Sequence, residues 1–171
     1  PARLPFPSPW PIISTNGGPS AQDPTVMEMP QIPGYRIEKA IGKGAMSTVF
    51  LAVQESLERR VALKILSPRL AADPTFNKRF VKEARIIGKL GHPHIVTIFD
   101  AGNHEDLFYI AMEYLEGATL KERIKAGLTP EQATDILRQI AQALGCAHRQ
   151  NCIHRDIKPA NIMFRSPDMA V

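Results

Sequence analysis

Two periodicities divide this sequence at Glu116-Gly117. Before that point lie five short runs of β-branched and apolar residues: Tyr35–Lys43, Ser47–Gln54, Arg60–Leu66, Val96–Ala101 and Leu107–Tyr114. The first three are separated by turns at Gly42–Ala45 and Glu55–Glu58. After it, apolar residues recur at spacings of three and four, as on the buried face of a helix. A chain that keeps its strands and its helices in separate blocks is α+β.

One helix interrupts the strand block. Asp73 is a good N-cap, Pro74 suits the first helical position, and Phe76, Phe80, Ala84, Ile87 and Leu90 follow at helical spacing up to Gly91. In the second block, Thr119-Leu120-Lys121-Glu122 is a capping-box sequence opening a short helix. Thr129-Pro130 opens a longer one to Arg149, with Ile136, Leu137, Ile140, Leu144 and Ala147 predicted on one face. No internal repeat is visible.

Residues 1–33 stand apart. They hold nine of the 15 prolines and three charged residues, Arg3, Asp23 and Glu28. Such sequence makes neither ladders nor a packed core, and a disordered Pro-rich tail is expected. Met27 just precedes the patterned region and would make a sensible start, so residues 1–26 are expected to lie outside the functional protein. The remaining divisions fall at 34–116 and 117–171.

The composition excludes several classes. Charged residues make up 22% of the chain and the net charge is only +4, with both signs interspersed, so no nucleic-acid patch is expected. No run reaches the roughly 18 apolar residues of a membrane span, and no signal peptide is visible. Cys146 and Cys152 have no partners at zinc spacing and imply no disulfide framework, which fits a reducing, cytoplasmic setting.

Three segments carry chemistry. Ile41-Gly42-Lys43-Gly44-Ala45-Met46-Ser47-Thr48-Val49 is a Gly-rich turn between two strands, and glycines let backbone N–H groups approach a phosphate. A dinucleotide-binding turn would open a helix, whereas Ser47–Leu51 is strand-type sequence. Val61-Ala62-Leu63-Lys64 places one Lys in an apolar strand, and buried lysines are rare unless paired. Its expected partner is Glu83 on the following helix. Finally, His154-Arg155-Asp156-Ile157-Lys158-Pro159-Ala160-Asn161 packs an Asp that could take a hydroxyl proton, a Lys that could hold a phosphate and an Asn that could hold a metal ion into eight residues.

In this order the segments resemble the eukaryotic-type Ser/Thr protein kinases, especially their bacterial members, from Tyr35 to Val171. The resemblance implies a five-stranded antiparallel N-lobe with one helix, followed by the start of a mainly helical C-lobe. It implies ATP and Mg²⁺ as cofactors and protein Ser or Thr hydroxyls as substrate; Lys158-Pro159 disfavours a small-molecule kinase. Gly42 and Gly44 would cover the phosphates, and Lys64, paired with Glu83, would hold two of them. Ile41, Val49, Ala62 and Met163 would sandwich adenine. Glu113 and Leu115 would offer backbone groups to its edge, beside Met112. Asp156 would accept the substrate proton, Lys158 would neutralise the γ-phosphate, and Asn161 would ligate Mg²⁺. His154 would stack with Ile87 and Ile98, and Arg155 would answer a phosphorylated loop. The third glycine of the pattern is Ser47 here.

The family also needs an Asp-Phe-Gly motif, which these 171 residues do not contain. Ile162–Val171 reads as a hairpin around Ser166-Pro167-Asp168-Met169. The 171 residues are therefore expected to represent a truncated kinase, inactive by itself, with Ile136, Leu137, Ile140 and Leu144 exposed and prone to aggregation. The alternative is a non-catalytic remnant that at most binds nucleotide or a partner.

Overall fold

The computed structural model describes residues 29–44, 47–67, 82 and 84–171. The expected Asp73 cap, Phe76, Phe80, Glu83 and the tail through Glu28 lie outside them. Five antiparallel strands form one sheet in the order β1-β2-β3-β5-β4. They are β1 (Tyr35–Lys43), β2 (Ser47–Gln54), β3 (Arg59–Leu66), β4 (Ile98–His104) and β5 (Leu107–Glu113). The fourth strand starts later and runs further than the expected Val96–Ala101. The chain at His92–Ile95 makes a turn, with Ile95 N–H donating to the His92 carbonyl, so pairing begins only at Ile98 opposite Met112. The expected turn at Glu55–Glu58 is one turn of 3-10 helix, Glu55–Leu57, ended by Glu58 in the left-handed region.

Alternation along β3 divides its side chains between two faces. Val61, Leu63 and Ile65 join Ile32, Tyr35, Phe50, Ala52 and Ala111 in one core. Ala62 turns the other way with Val49 and Met112. Leu66 meets Ala84 and Ile110, which seats the helical stretch 84–87 on the sheet. Ile32 is 3% exposed, so the packed chain begins just before Tyr35.

Beyond the linker 114–118 come α1 (Leu120–Ala126) and α2 (Pro130–Arg149). Thr119 and Thr129 cap them through reciprocal capping boxes with Glu122 and Gln132. A hairpin of β6 (Phe164–Ser166) and β7 (Met169–Ala170) follows, where the sequence predicts it. Ile136 of α2 packs with Leu120, Ile162, Phe164 and Ala170, and Ile140 lies against the same cluster.

Two expectations about α2 are corrected. Its apolar face is only partly open: Ile136 is buried where the hairpin folds back over the helix, while Ile140 and Leu144 are half-buried and line the cleft between the sheet and the helices. Leu137 is 66% exposed and does not belong to that face, whereas Gln139 is buried. The Gln139 amide is satisfied on three sides. Its Nε2 donates to Asp135 and to the Asp168 carbonyl, and its Oε1 accepts from Ala170 N–H at 2.7 Å.

Candidate active site

A cleft of about 470 Å³ opens between the sheet and the helical block. Ile41 of β1, Ala62 of β3, Met112 and Glu113 of β5, Leu115 of the linker, and Met163 and Asn161 of the loop before β6 all line it. Val49 packs with Ala62 and Met112 behind that wall and does not itself line the cleft. These residues form an apolar slot closed from both sides, the kind of surface a flat heteroaromatic ring fills. Gly42 pairs with Val49, and Gly44 N–H donates to the Ser47 carbonyl at 2.9 Å, so both glycines sit at the end of the β1–β2 ladder. Neither reaches the cleft wall.

Lys64 sits mid-strand between Val49 and Ile110 and is 3% exposed. Burial pulls its ammonium down to about 7. Its charge reaches His154, which lines the cleft. Ile87 and Ile98 pack together with Leu90 and Ala147.

The loop 154–161 is built by backbone turns. Arg155 adopts a left-handed φ of 66°, and a 3-10 turn at Pro159–Asn161 closes with Asn161 N–H on the Lys158 carbonyl. This geometry gathers three polar side chains. Lys158 Nζ lies 3.0 Å from Asp156 Oδ2, and Asn161 Nδ2 donates to the same oxygen at 3.0 Å. Burial tends to raise the Asp156 carboxyl, but the Lys158 and Asn161 hydrogen bonds outweigh it and hold the group below its usual range. Burial likewise pushes His154 down to about 4. Its neutral Nδ1 accepts from the Asp156 N–H at 3.3 Å.

The other amide atom of Asn161 is informative. Oδ1 is buried and has no hydrogen-bond partner among the described residues. An orphaned carbonyl oxygen beside an ionised carboxylate is a suitable hard ligand for a divalent cation such as Mg²⁺.

Arg165, His94 and Gln139 were not singled out by sequence pattern. Arg165 Nε and Nη2 each donate to one Glu113 carboxylate oxygen at 2.6 Å. That bond to Arg165, foremost, lowers the Glu113 carboxyl. Both residues lie in unremarkable strand sequence, and only the tertiary approach of β6 to β5 reveals the pair.

Residues 35–170 match the protein kinase domain, and the chain belongs to that family. It is 47% identical over 132 residues to the serine/threonine-protein kinase PrkC of Bacillus subtilis, covering 76% of this chain and 20% of that protein. It is 42% identical over 132 residues to PknJ of Mycobacterium tuberculosis, covering 77% of this chain and 22% of that kinase. Among solved structures, the PknI kinase domain of Mycobacterium tuberculosis superposes with a TM-score of 0.69 at 33% identity, over 81% of this chain and 58% of that domain. The chain thus spans about a fifth of the length of these curated relatives.

Proposed function

We propose that this chain supplies the ATP site and catalytic loop of a serine/threonine-protein kinase that moves the γ-phosphate of ATP onto protein Ser or Thr hydroxyls. The observation that carries this reading is the Asp156–Lys158–Asn161 cluster, which reaches the wall of an apolar cleft through Asn161. Ile41, Val49, Ala62 and Met163 would hold adenine, with the Glu113 and Leu115 backbone at its edge. Lys64 would hold the phosphates, oriented by Glu83, while Gly42 and Gly44 would cover them.

In this reading Asp156 orients the incoming hydroxyl and takes its proton. The hydroxyl oxygen bonds to the γ-phosphorus as the bond to the ADP oxygen breaks. Lys158 offsets charge on the moving group, since phosphoryl transfer depends mainly on positioning and charge stabilisation. Mg²⁺, held by Asn161 Oδ1, would neutralise phosphate charge. Arg155 would pair with a phosphorylated loop.

The family's second metal ligand belongs to an Asp-Phe-Gly motif that these 171 residues lack. A polypeptide of these residues alone is therefore assigned nucleotide binding without transfer. A reducing cytoplasmic setting is part of this reading, since Cys146 and Cys152 stand at no spacing that implies a disulfide framework. Among the described residues, no helix is long and apolar enough to cross a membrane.

Calorimetric titration with ATP and Mg²⁺ tests the reading. Saturable binding is expected, weakened roughly tenfold or more in Lys64→Met by loss of a charge-assisted phosphate contact. Equal binding by a folded Lys64→Met protein, or none by the parent, refutes it. Incubation with radiolabelled ATP and a Ser/Thr-rich protein is expected to leave the protein unlabelled.

A further inference from the structure

Arg165 makes a set of contacts that phosphoryl transfer itself does not use. Its fork engages both oxygens of Glu113, the last residue of β5. Its remaining nitrogen, Nη1, donates to the Pro93 carbonyl at 2.6 Å. One planar guanidinium thus joins β6 to two separate segments of the sheet block, and its geometry fixes all three bonds together.

Neighbouring contacts extend the same junction. His94 Nδ1 lies 2.8 Å from the Ala170 carbonyl, tying the loop 91–97 to β7. Glu113 N–H donates to the Thr97 carbonyl, and Glu113 Oε2 accepts weakly from Thr97 N–H at 3.4 Å. On the other side, Gln139 fastens the β6–β7 hairpin to α2. The chain of contacts therefore runs from the sheet, through Glu113 and Arg165, into the helical block. It lies beside the linker 114–118, the covalent connection between the blocks.

We propose that Arg165 is a positioning residue: it latches the end of β5 and the loop 91–97 to the β6–β7 hairpin, and so limits how far Lys64 can swing from Asp156 and Asn161. The inference rests on reading the cleft as the nucleotide site, because the two blocks that Arg165 joins carry opposite walls of it. The latch is strong enough to bias the angle between blocks and weak enough to open. Its charged side chains are 29% and 21% exposed, so solvent screens part of their attraction.

Two readouts test it on the 171-residue protein, compared with Arg165→Ala, Arg165→Lys and Glu113→Gln. The first is release of a fluorescent ATP analogue, followed by stopped flow. Release is expected to be roughly 3- to 10-fold faster in Arg165→Ala, as for loss of a partly screened ion pair. Arg165→Lys should fall between parent and Arg165→Ala, since it keeps the charge but not the fork. The Arg165→Ala/Glu113→Gln double variant should be no faster than Arg165→Ala, because both changes remove one interaction. The second readout is amide hydrogen exchange, which needs no nucleotide. Arg165→Ala should lose protection at 94–97 and 169–171 while the β2–β3 ladder stays protected. Unchanged release and unchanged protection in folded Arg165→Ala would overturn the latch. Unchanged release with lost protection would overturn its positioning role. If the parent binds no nucleotide, the nucleotide reading fails, and exchange alone judges the latch.

Discussion

Asn161 holds Asp156 twice, donating from Nδ2 to the Oδ2 atom at 3.0 Å and to the main-chain carbonyl at 2.8 Å. The orientation of the amide is thereby fixed, which leaves Oδ1 as the buried, unpartnered atom. Asn161→Ala removes both the brace and that oxygen. The parent is expected to bind ATP several-fold more tightly with Mg²⁺ than in EDTA, and that ratio should fall to about one in Asn161→Ala. Paired calorimetric titrations give the ratio directly. An undiminished Mg²⁺ effect in the variant would place the metal elsewhere.

Gly117 is a steric checkpoint in the linker. A Cβ at this position would lie 2.0 Å from the Phe164 carbonyl oxygen, which belongs to backbone and has little room to move. Gly117→Ala should therefore cost about 1–3 kcal/mol by forcing the linker from β6. At Gly91 a Cβ would meet nothing within 4 Å, so Gly91→Ala should stay within about 0.5 kcal/mol of the parent. Urea unfolding of the two variants compares them under identical conditions.

His154 should make stability fall in mild acid. Its folded pKa of about 4 lies below the ordinary value of 6.5. Above pH 6.5 the ring is neutral in both states and contributes no pH dependence. Between 6.5 and 4 the unfolded chain takes up a proton that the folded chain resists, so stability declines as pH falls and levels off below 4. The shift sets an upper bound of about 3.4 kcal/mol, and the loss is expected nearer about 2 because solvent still reaches the half-buried ring. Protonating Nδ1 would also oppose its bond from the Asp156 N–H. Denaturation midpoints measured from pH 7 to 4 should show a shallower decline in His154→Asn. Parallel curves would remove His154 as the cause.

Thr119 joins α1 to the segment before β6. Its hydroxyl accepts from Glu122 N–H, its own N–H donates to Glu122 Oε2 at 2.7 Å, and it bridges to Met163. Thr119→Ala should destabilise by about 1 kcal/mol, while Thr119→Ser should recover most of that through the retained hydroxyl. Thermal unfolding followed by circular dichroism distinguishes the pair.

What the sequence disclosed depended on the range of the interactions involved. β1 and β2 begin and end where turn chemistry and alternation place them, because those signals are local. The Thr119–Glu122 capping box and the Thr129-Pro130 start of α2 were legible for the same reason, whereas the second capping box, through Gln132, emerged only in the structure. Leu137 misled because periodicity alone does not fix the phase of a helix against its neighbours. The buried stripe is decided by where the β6–β7 hairpin lands, and that hairpin selects Ile136 and Gln139. The cluster at Asp156, Lys158 and Asn161 was visible as a short motif, since its spacing is the geometry. The bond between Arg165 and Glu113 spans 52 positions in sequence and leaves no periodic trace.

Gln139 grips the hairpin by its main chain alone, at the Asp168 carbonyl and the Ala170 N–H. A grip of that kind is indifferent to which side chains the turn carries. The tip at 166–168 is therefore free to accept substitutions, or a small epitope or fluorophore, without loosening the helix beneath it. That makes it a natural handle for attaching a reporter next to the cleft.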